Sequence, residues 1–455
     1  MIHRFTQGGL FIVTDVNSGA VHAVSELVYD MLGHIEPPME EKCPEKLFEI
    51  FKNHSENEIK EAYEEIYEIY KADLLFSDDA DIDPSIIKTS EPPVKALCLH
   101  VSHDCNLRCR YCFAQTGDFG TVRSLMNAET AKKAIDFVIK NSKNRRNIEI
   151  DFFGGEPLMA FDVVKETVEY AKAEGAKHGK NFRFTITTNG VLLNDEITDY
   201  INREMSNIVL SLDGRKEIND YMRPTVNGKG SYDIIMPKFQ KLVKERDKDK
   251  DYYIRGTYTG RNLDFTEDVI DVYKKGFDQI SIEPVSAPDG CGYEIKTSDL
   301  ERIKNEYHKL AEKMLELEKK GEGFNFFHFN VDLEQGPCVI KRLRGCGAGC
   351  EYVAITPEGD IYPCHQFVGQ EQFKMGNLHE GTFSREKAEE FGNVSVYTRE
   401  DCKTCWAKFY CSGGCSAANY NANGDINKCY HTGCELERMR LECALYLAVK
   451  RSLEN

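Results

Sequence analysis

Cys105-Asn106-Leu107-Arg108-Cys109-Arg110-Tyr111-Cys112 places three thiols on one short loop. The spacing is C-x3-C-x2-C, with an aromatic ring just before the last cysteine. Three thiolates so placed can hold three irons of a [4Fe–4S] cube, leaving the fourth iron for a small molecule. Zinc is the competing use, but structural zinc takes four closed ligands and no fourth lies close in sequence. His103 is near, yet it falls outside the spacing of zinc motifs.

Working outward, strand-like and helical patterns alternate. The strand-like runs are 97–102, 148–153, 182–188, 208–212, 252–258 and 279–283, with helical patterns near 127–141, 161–178, 194–203, 231–246 and 265–275. Six such units predict parallel strands covered by helices, an α/β fold whose barrel is partial because six strands do not close it. Functional residues then belong at the C-terminal strand ends, and the cysteine loop follows the first strand.

Polar residues stand at the other strand ends. Gly154-Gly155-Glu156 follows the second strand. Its glycines allow backbone to approach a ligand and its carboxylate suits an ammonium. Asn189 ends the third strand and Ser211 the fourth. Arg223 lies in the loop beyond, placed to pair a carboxylate, and Val285 follows the sixth. Each alone is an ordinary loop residue; together they face one edge of one sheet.

Residues 1–76 read as a hairpin (10–14 and 20–24 around Asn17-Ser18-Gly19) and three short helices, with a capping box at Ser55 and Glu58. Residues 74–76 are expected to return as a strand. The arrangement predicts a small winged helix. Its acidity speaks against DNA, and strand addition makes a peptide the fitting partner. Residues 77–94, acidic and proline-containing, read as a linker. Residues 95–297 hold the partial barrel and 298–337 an amphipathic bridging helix. Residues 338–455, rich in cysteine and glycine, are expected to fold around bound clusters rather than a conventional core.

The chain has 455 residues, a net charge of −17 and 17 cysteines. No apolar run of membrane-spanning length and no signal-peptide pattern appears, so the expectation is a cytoplasmic protein with no membrane partner. Net acidity argues against nucleic acid. Cysteine-rich cytoplasmic chains point to metal or cluster ligation. Cys98 and Cys443, on apolar patterns, read as core; His328 and His365 read as satisfied histidines.

These residues resemble the radical S-adenosylmethionine (SAM) enzymes, with Cys105-x3-Cys109-x-Tyr-Cys112 and Gly154-Gly-Glu-Pro157 carrying the likeness over 95–290. The resemblance implies that Cys105, Cys109 and Cys112 bind the cluster chelating S-adenosylmethionine. It also implies that Gly154, Gly155 and Asn189 border that ligand and that Glu156 holds its amino group. Ser211 would meet the ribose, Arg223 the carboxylate, and the backbone near Tyr111 and Val285 the adenine. Cys346-x12-Gly359-x4-Cys364 and Cys402-x2-Cys405-x5-Cys411-x3-Cys415, then Cys434, resemble the SPASM domain. That likeness implies two auxiliary clusters, three [4Fe–4S] clusters in all. The first would use Cys346, Cys364 and Cys415, with Cys350 either a fourth ligand or a bystander. Cys402, Cys405, Cys411 and Cys434 would serve the second, with Cys429 competing for the last place.

The layout looks most like the maturases of six-cysteine (SCIFF) peptides. It implies a sactisynthase that joins a peptide cysteine sulfur to the α-carbon of another residue, threonine by preference. A precursor peptide held by its leader on the N-terminal unit and a small reductant protein such as flavodoxin or ferredoxin would be the partners. Sulfatase-maturing oxidation of a protein Cys or Ser, a non-catalytic iron–sulfur carrier and a redox-sensing winged-helix regulator are the alternatives.

Overall fold

Leu97, Leu99 and Val101 alternate with Cys98, His100 and Ser102 along β4 (Ala96–Ser102), and all six are buried. A strand covered on both faces belongs at the centre of a parallel sheet. The leucine side meets the helices of the main core, while Cys98 packs inward with Ala354 and Tyr362. In this computed structural model, which describes residues 1–79, 92–288, 290–333 and 339–454, five further strands run parallel to β4. They are β5 (Asn147–Gly154), β6 (Asn181–Thr188), β7 (Asn207–Ser211), β8 (Asp251–Tyr258) and β9 (Gln279–Pro284). Helices Ala128–Asn141, Phe161–His178, Asp195–Glu204, Tyr232–Lys244 and Phe265–Lys274 alternate with them, matching the sequence pattern closely.

The sheet extends beyond those six strands. β10 (Asn325–Phe326) pairs in parallel with β9 at one edge, and β11 (Tyr352–Ile355) pairs in parallel with β4 at the other. β12 (Asp360–Tyr362) and β13 (Gly376–Asn377) continue it antiparallel. The ten-strand order is open, running from β10 to β13. Thus the cysteine-rich region is stitched to the first barrel strand by main-chain hydrogen bonds. It also has an aromatic core of its own, in which Phe367, Phe373, Phe391 and Tyr420 meet, contrary to the expectation that bound clusters replace one.

At the N-terminus, β1 (Ile2–Gln7), β2 (Leu10–Asp15) and β3 (Val21–Val24) form an antiparallel sheet followed by helices Glu26–Met31, Glu45–Ile50 and Glu56–Lys71. Ser55 and Glu58 make the reciprocal capping box. Val28, Met31, Leu47, Ile59 and Ile66 give this unit its own core. Residues 74–76 bend and form no strand: Ser77 instead turns back to bond Asp15 and to accept from the Ser18 amide, which ends the run. Phe5 and Ile12 reach out of the unit into the main core, and His3 stacks on Trp406 at 3.9 Å while its Nε2 meets Glu442 at 2.9 Å.

The bridging helix Leu300–Glu318 buries Ile303, Tyr307, Leu310 and Met314 and packs on the last helix, His431–Glu454. Each such side chain contributes about 1.5–3 kcal/mol on burial. Most of the predicted linker (residues 80–91) and Cys338 lie outside the described residues. Among the described residues no helix is long and apolar enough to cross a membrane.

Candidate functional site

The loop after β4 is folded back by its neighbours. Glycines at 154 and 155 are required there by the chain itself: a Cβ would stand 2.1 Å from Ser102 O at Gly154, whose φ is +126°, and 2.2 Å from Asp104 O at Gly155. The Gly155 amide donates to Ser102 O and the Glu156 amide to Asp104 O, both at 2.8 Å. The glycines read from sequence as allowing approach to a ligand thus also allow close approach to the cysteine loop. Gly117 presses on the same loop, where a Cβ would lie 2.6 Å from Cys105 Cβ.

This packing opens a cavity of about 710 Å³ bordered by Cys105, Cys109 and Cys112. Tyr111, Gly154, Gly155, Glu156, Asn189, Ser211 and Arg223 border it too. Val285 does not; it lines a second cavity beside Cys411, Cys415 and Cys434, and its amide donates to Tyr258 O at 2.9 Å. The last residue of the expected set is thus turned toward the cysteine-rich domain.

Glu156 is buried and holds three donors. It accepts from Thr188 Oγ1 at 2.7 Å, the Asn189 amide at 2.8 Å and the Leu158 amide at 3.1 Å. Burial raises its pKa, and those donors oppose the rise. A cationic ligand group would complete its partners. Across the cavity, Tyr111 donates to both oxygens of Asp213 at 2.7 Å, and Arg223 Nη1 donates to Tyr111 at 2.8 Å. Arg223 and Asp213 are buried, and Arg223 Nε has no partner among the described residues. An orphaned guanidinium nitrogen next to the cavity suits a carboxylate.

Burial pushes the Cys105 thiol up to about 12 and Cys109 to about 11, so both hold their protons until a cation compensates the charge. No three His, Cys, Asp or Glu side chains form a single-ion site among the described residues. Three thiols around an open cavity, with amide and carboxylate groups opposite, fit a cluster carrying an organic ligand.

The C-terminal cysteines fall into two groups. Cys364, buried and pushed up to about 12 by that burial, has Cys415 and Cys346 as thiol neighbours. Cys350 is buried beside Cys346 but turns its thiol to Gly347 O at 3.3 Å. Cys402, Cys405, Cys411, Cys429 and Cys434 border another cavity, where Arg438 Nη1 approaches Cys405 Sγ at 3.7 Å. The cores claim Cys98 and Cys443, and His328 is satisfied by Ser281 and Arg440. His365 is half-buried, accepts or donates to Tyr352 at 3.3 Å and contacts the rings of Phe113 and Phe153. Sequence reasoning placed Thr188 and Asp213 on the polar strand ends but did not give them their roles as partners of Glu156 and Tyr111. The polar tail of each strand end (Thr188-Asn189, Leu212-Asp213) was the available signal.

An open cluster loop at the C-terminal edge of a parallel sheet, joined to a cysteine-rich domain, defines a radical SAM architecture. The chain contains both parts: residues 99–246 match the Radical SAM superfamily and residues 346–406 match SPASM, the iron-sulfur cluster-binding domain. Its relatives are SPASM-type maturases. The cysteine-type anaerobic sulfatase-maturating enzyme of Clostridium novyi is 26% identical over 69% of this chain and 85% of its own. The mycofactocin maturase MftC of Mycolicibacterium smegmatis is 26% identical over 74% of this chain and 82% of its own. Among solved structures, anSMEcpe with bound AdoMet superposes with a TM-score of 0.67 at 20% identity, over 80% of this chain and 96% of that one. Streptococcus suis SuiB bound to precursor peptide SuiA gives 0.51 at 17% identity, over 95% and 98%.

Proposed function

We propose that this chain is a radical SAM peptide maturase that joins a cysteine sulfur to the α-carbon of a threonine in a ribosomally made, cysteine-rich precursor. Cys105, Cys109 and Cys112 would hold the first cluster, and Glu156 and Arg223 the amino and carboxylate ends of S-adenosylmethionine. When bound, cluster and S-adenosylmethionine supply one-electron hydrogen-abstraction chemistry. Cys346, Cys364 and Cys415 would hold the second cluster, and the five-cysteine group the third, as electron acceptors for a net oxidation.

One observation carries the peptide reading. A cleft of about 2500 Å³ leads from Tyr111 and Cys112 to the cysteine-rich domain, bordered by Gln115, Gln366, Gln370, Asn421 and Thr432. Its only charged lining residues among those described are Glu294 and Lys296, which face each other at 3.8 Å. Amide-bearing, neutral walls suit an extended, uncharged peptide segment, whose main chain needs donors and acceptors. A peptide in this cleft would pass Cys112 of the trio and the Ala418, Tyr430 and Thr432 side of the cysteine-rich region. As a leader-binding winged helix, the N-terminal sheet would hold the rest of the precursor by strand addition. The greater share of this chain matched by SuiB than by anSMEcpe supports an added unit of that kind.

The sulfatase-maturating relative favours a second reading, oxidation of a protein Cys or Ser. Anaerobic incubation of the reconstituted enzyme with reductant, S-adenosylmethionine and a candidate precursor, read by mass and fragmentation, separates them. Loss of two hydrogens with a new sulfur–carbon crosslink is expected. A carbonyl-reactive product without a crosslink selects the second reading, and no deoxyadenosine overturns both.

A further inference from the structure

Five cysteines meet at the last cysteine group, one more than a [4Fe–4S] cube takes. Cys429 Sγ stands 3.6 Å from Cys402 Sγ, and Cys434 borders the same cavity. The two competing thiols come from different elements. Cys429 follows the turn after helix Ser416–Asn423, where Asn423 Nδ2 donates to its carbonyl at 3.1 Å and Asn419 Oδ1 accepts the next amide at 2.9 Å. It is 8% exposed and packs with Leu343 and Val396. Cys434 sits in the first turn of His431–Glu454, its amide bonded to Tyr430 O at 3.0 Å, and it borders two cavities. Neither thiol is turned away from the site, and the more buried of the two is the one outside the SPASM spacing.

We infer that Cys429 is a fifth ligand-competent thiol of this site, interchangeable with Cys434 at one iron. The inference rests on the reading above only in taking this cavity to hold a cluster. In the exchange, Cys429 would hold the iron in place of Cys434, one thiolate replacing the other. The thiol that binds would give up its proton and the thiolate released would take one up, so no electron would move. An iron corner with a thiol in reserve keeps its cluster when one ligand is lost.

Full-length Cys429→Ala, Cys434→Ala and the double variant, reconstituted without oxygen, test this by iron and sulfide content and by electron paramagnetic resonance. Each single variant is expected to keep the wild-type iron content, with the two spectra differing from each other, and the double variant to lose one cluster's worth. Loss of that iron in either single variant overturns the inference, as does retention in the double variant. Should a variant fail to fold, native alkylation of reconstituted wild-type protein decides instead. Partial label on both Cys429 and Cys434 is expected; label confined to one of them overturns the proposal. Wild-type protein that takes up no iron at all sinks the reading of the whole chain, a different outcome from either.

Discussion

The Asn189 carboxamide lies 3.6 Å from Cys105 Sγ and 2.8 Å from Asn106 Oδ1, so the end of β6 holds the start of the cysteine loop. Hydrogen bonds to charged groups contribute about 1.5–3 kcal/mol. Asn189→Ala is therefore expected to lower iron retention at the trio and, by withdrawing a donor from a ligand sulfur, to make the cluster's reduction potential more negative. Potentiometry on reconstituted protein checks it; an unchanged potential would show that the contact is incidental.

Glu156→Gln keeps the side chain's size but removes its charge and its all-acceptor character. Binding of S-adenosylmethionine is expected to weaken by at least about tenfold, read by calorimetry on cluster-loaded protein. Because the folded pKa is raised by burial, wild-type binding should also weaken as pH falls through that raised value, and the Gln variant should lack this dependence.

Gly155→Ala drives a methyl into Asp104 O, whereas Gly179, at the end of helix Phe161–His178, has nothing within 4 Å of its would-be Cβ. The first substitution should cost about 1–3 kcal/mol and deplete iron at the trio. Gly179→Ala, with φ at +65°, should cost about 1–2 kcal/mol with iron unchanged. Thermal melts and iron assays on both separate loop packing from backbone strain.

Asp213→Ala leaves Arg223 buried without its carboxylate. Breaking a buried pair in this way costs about 3–5 kcal/mol, more than replacing both partners together. Single and double variants at 213 and 223, compared by denaturant melts, test this; a double-variant loss equal to the sum of the two single losses would mean the pair at 3.9 Å is not coupled.

Asp151, on β5, is pushed up to about 7 by burial, with Arg255 opposing, and its Oδ1 has no partner among the described residues. Cys98 on β4 and Tyr352 on β11 also face it. Its folded value exceeds the usual carboxylate value, so the folded state binds the extra proton between the two. Stability from this group therefore rises as pH falls from about 7, and the ionised form is a penalty above that. Asp151→Asn should raise the melting temperature most at pH 8.5, the gap narrowing by pH 6; a constant gap would contradict the assignment.

The cysteine spacings and the alternation of strand and helix were written in local sequence. Ligand spacing, the two-residue strand period and the Ser55 cap each concern a few neighbouring residues, and such patterns need no knowledge of the rest of the chain. The polar strand ends could also be placed on one edge, because parallel βα units put successive C-terminal ends together. Tertiary structure alone decided the pairings. β11 joins β4 across some 250 residues, Phe5 and Ile12 abandon their own unit for the main core, Val285 lines the cavity of Cys411, Cys415 and Cys434, and Cys429 meets Cys402. Such contacts are selected by how whole surfaces bury against each other, and that choice leaves no mark on any short stretch of chain.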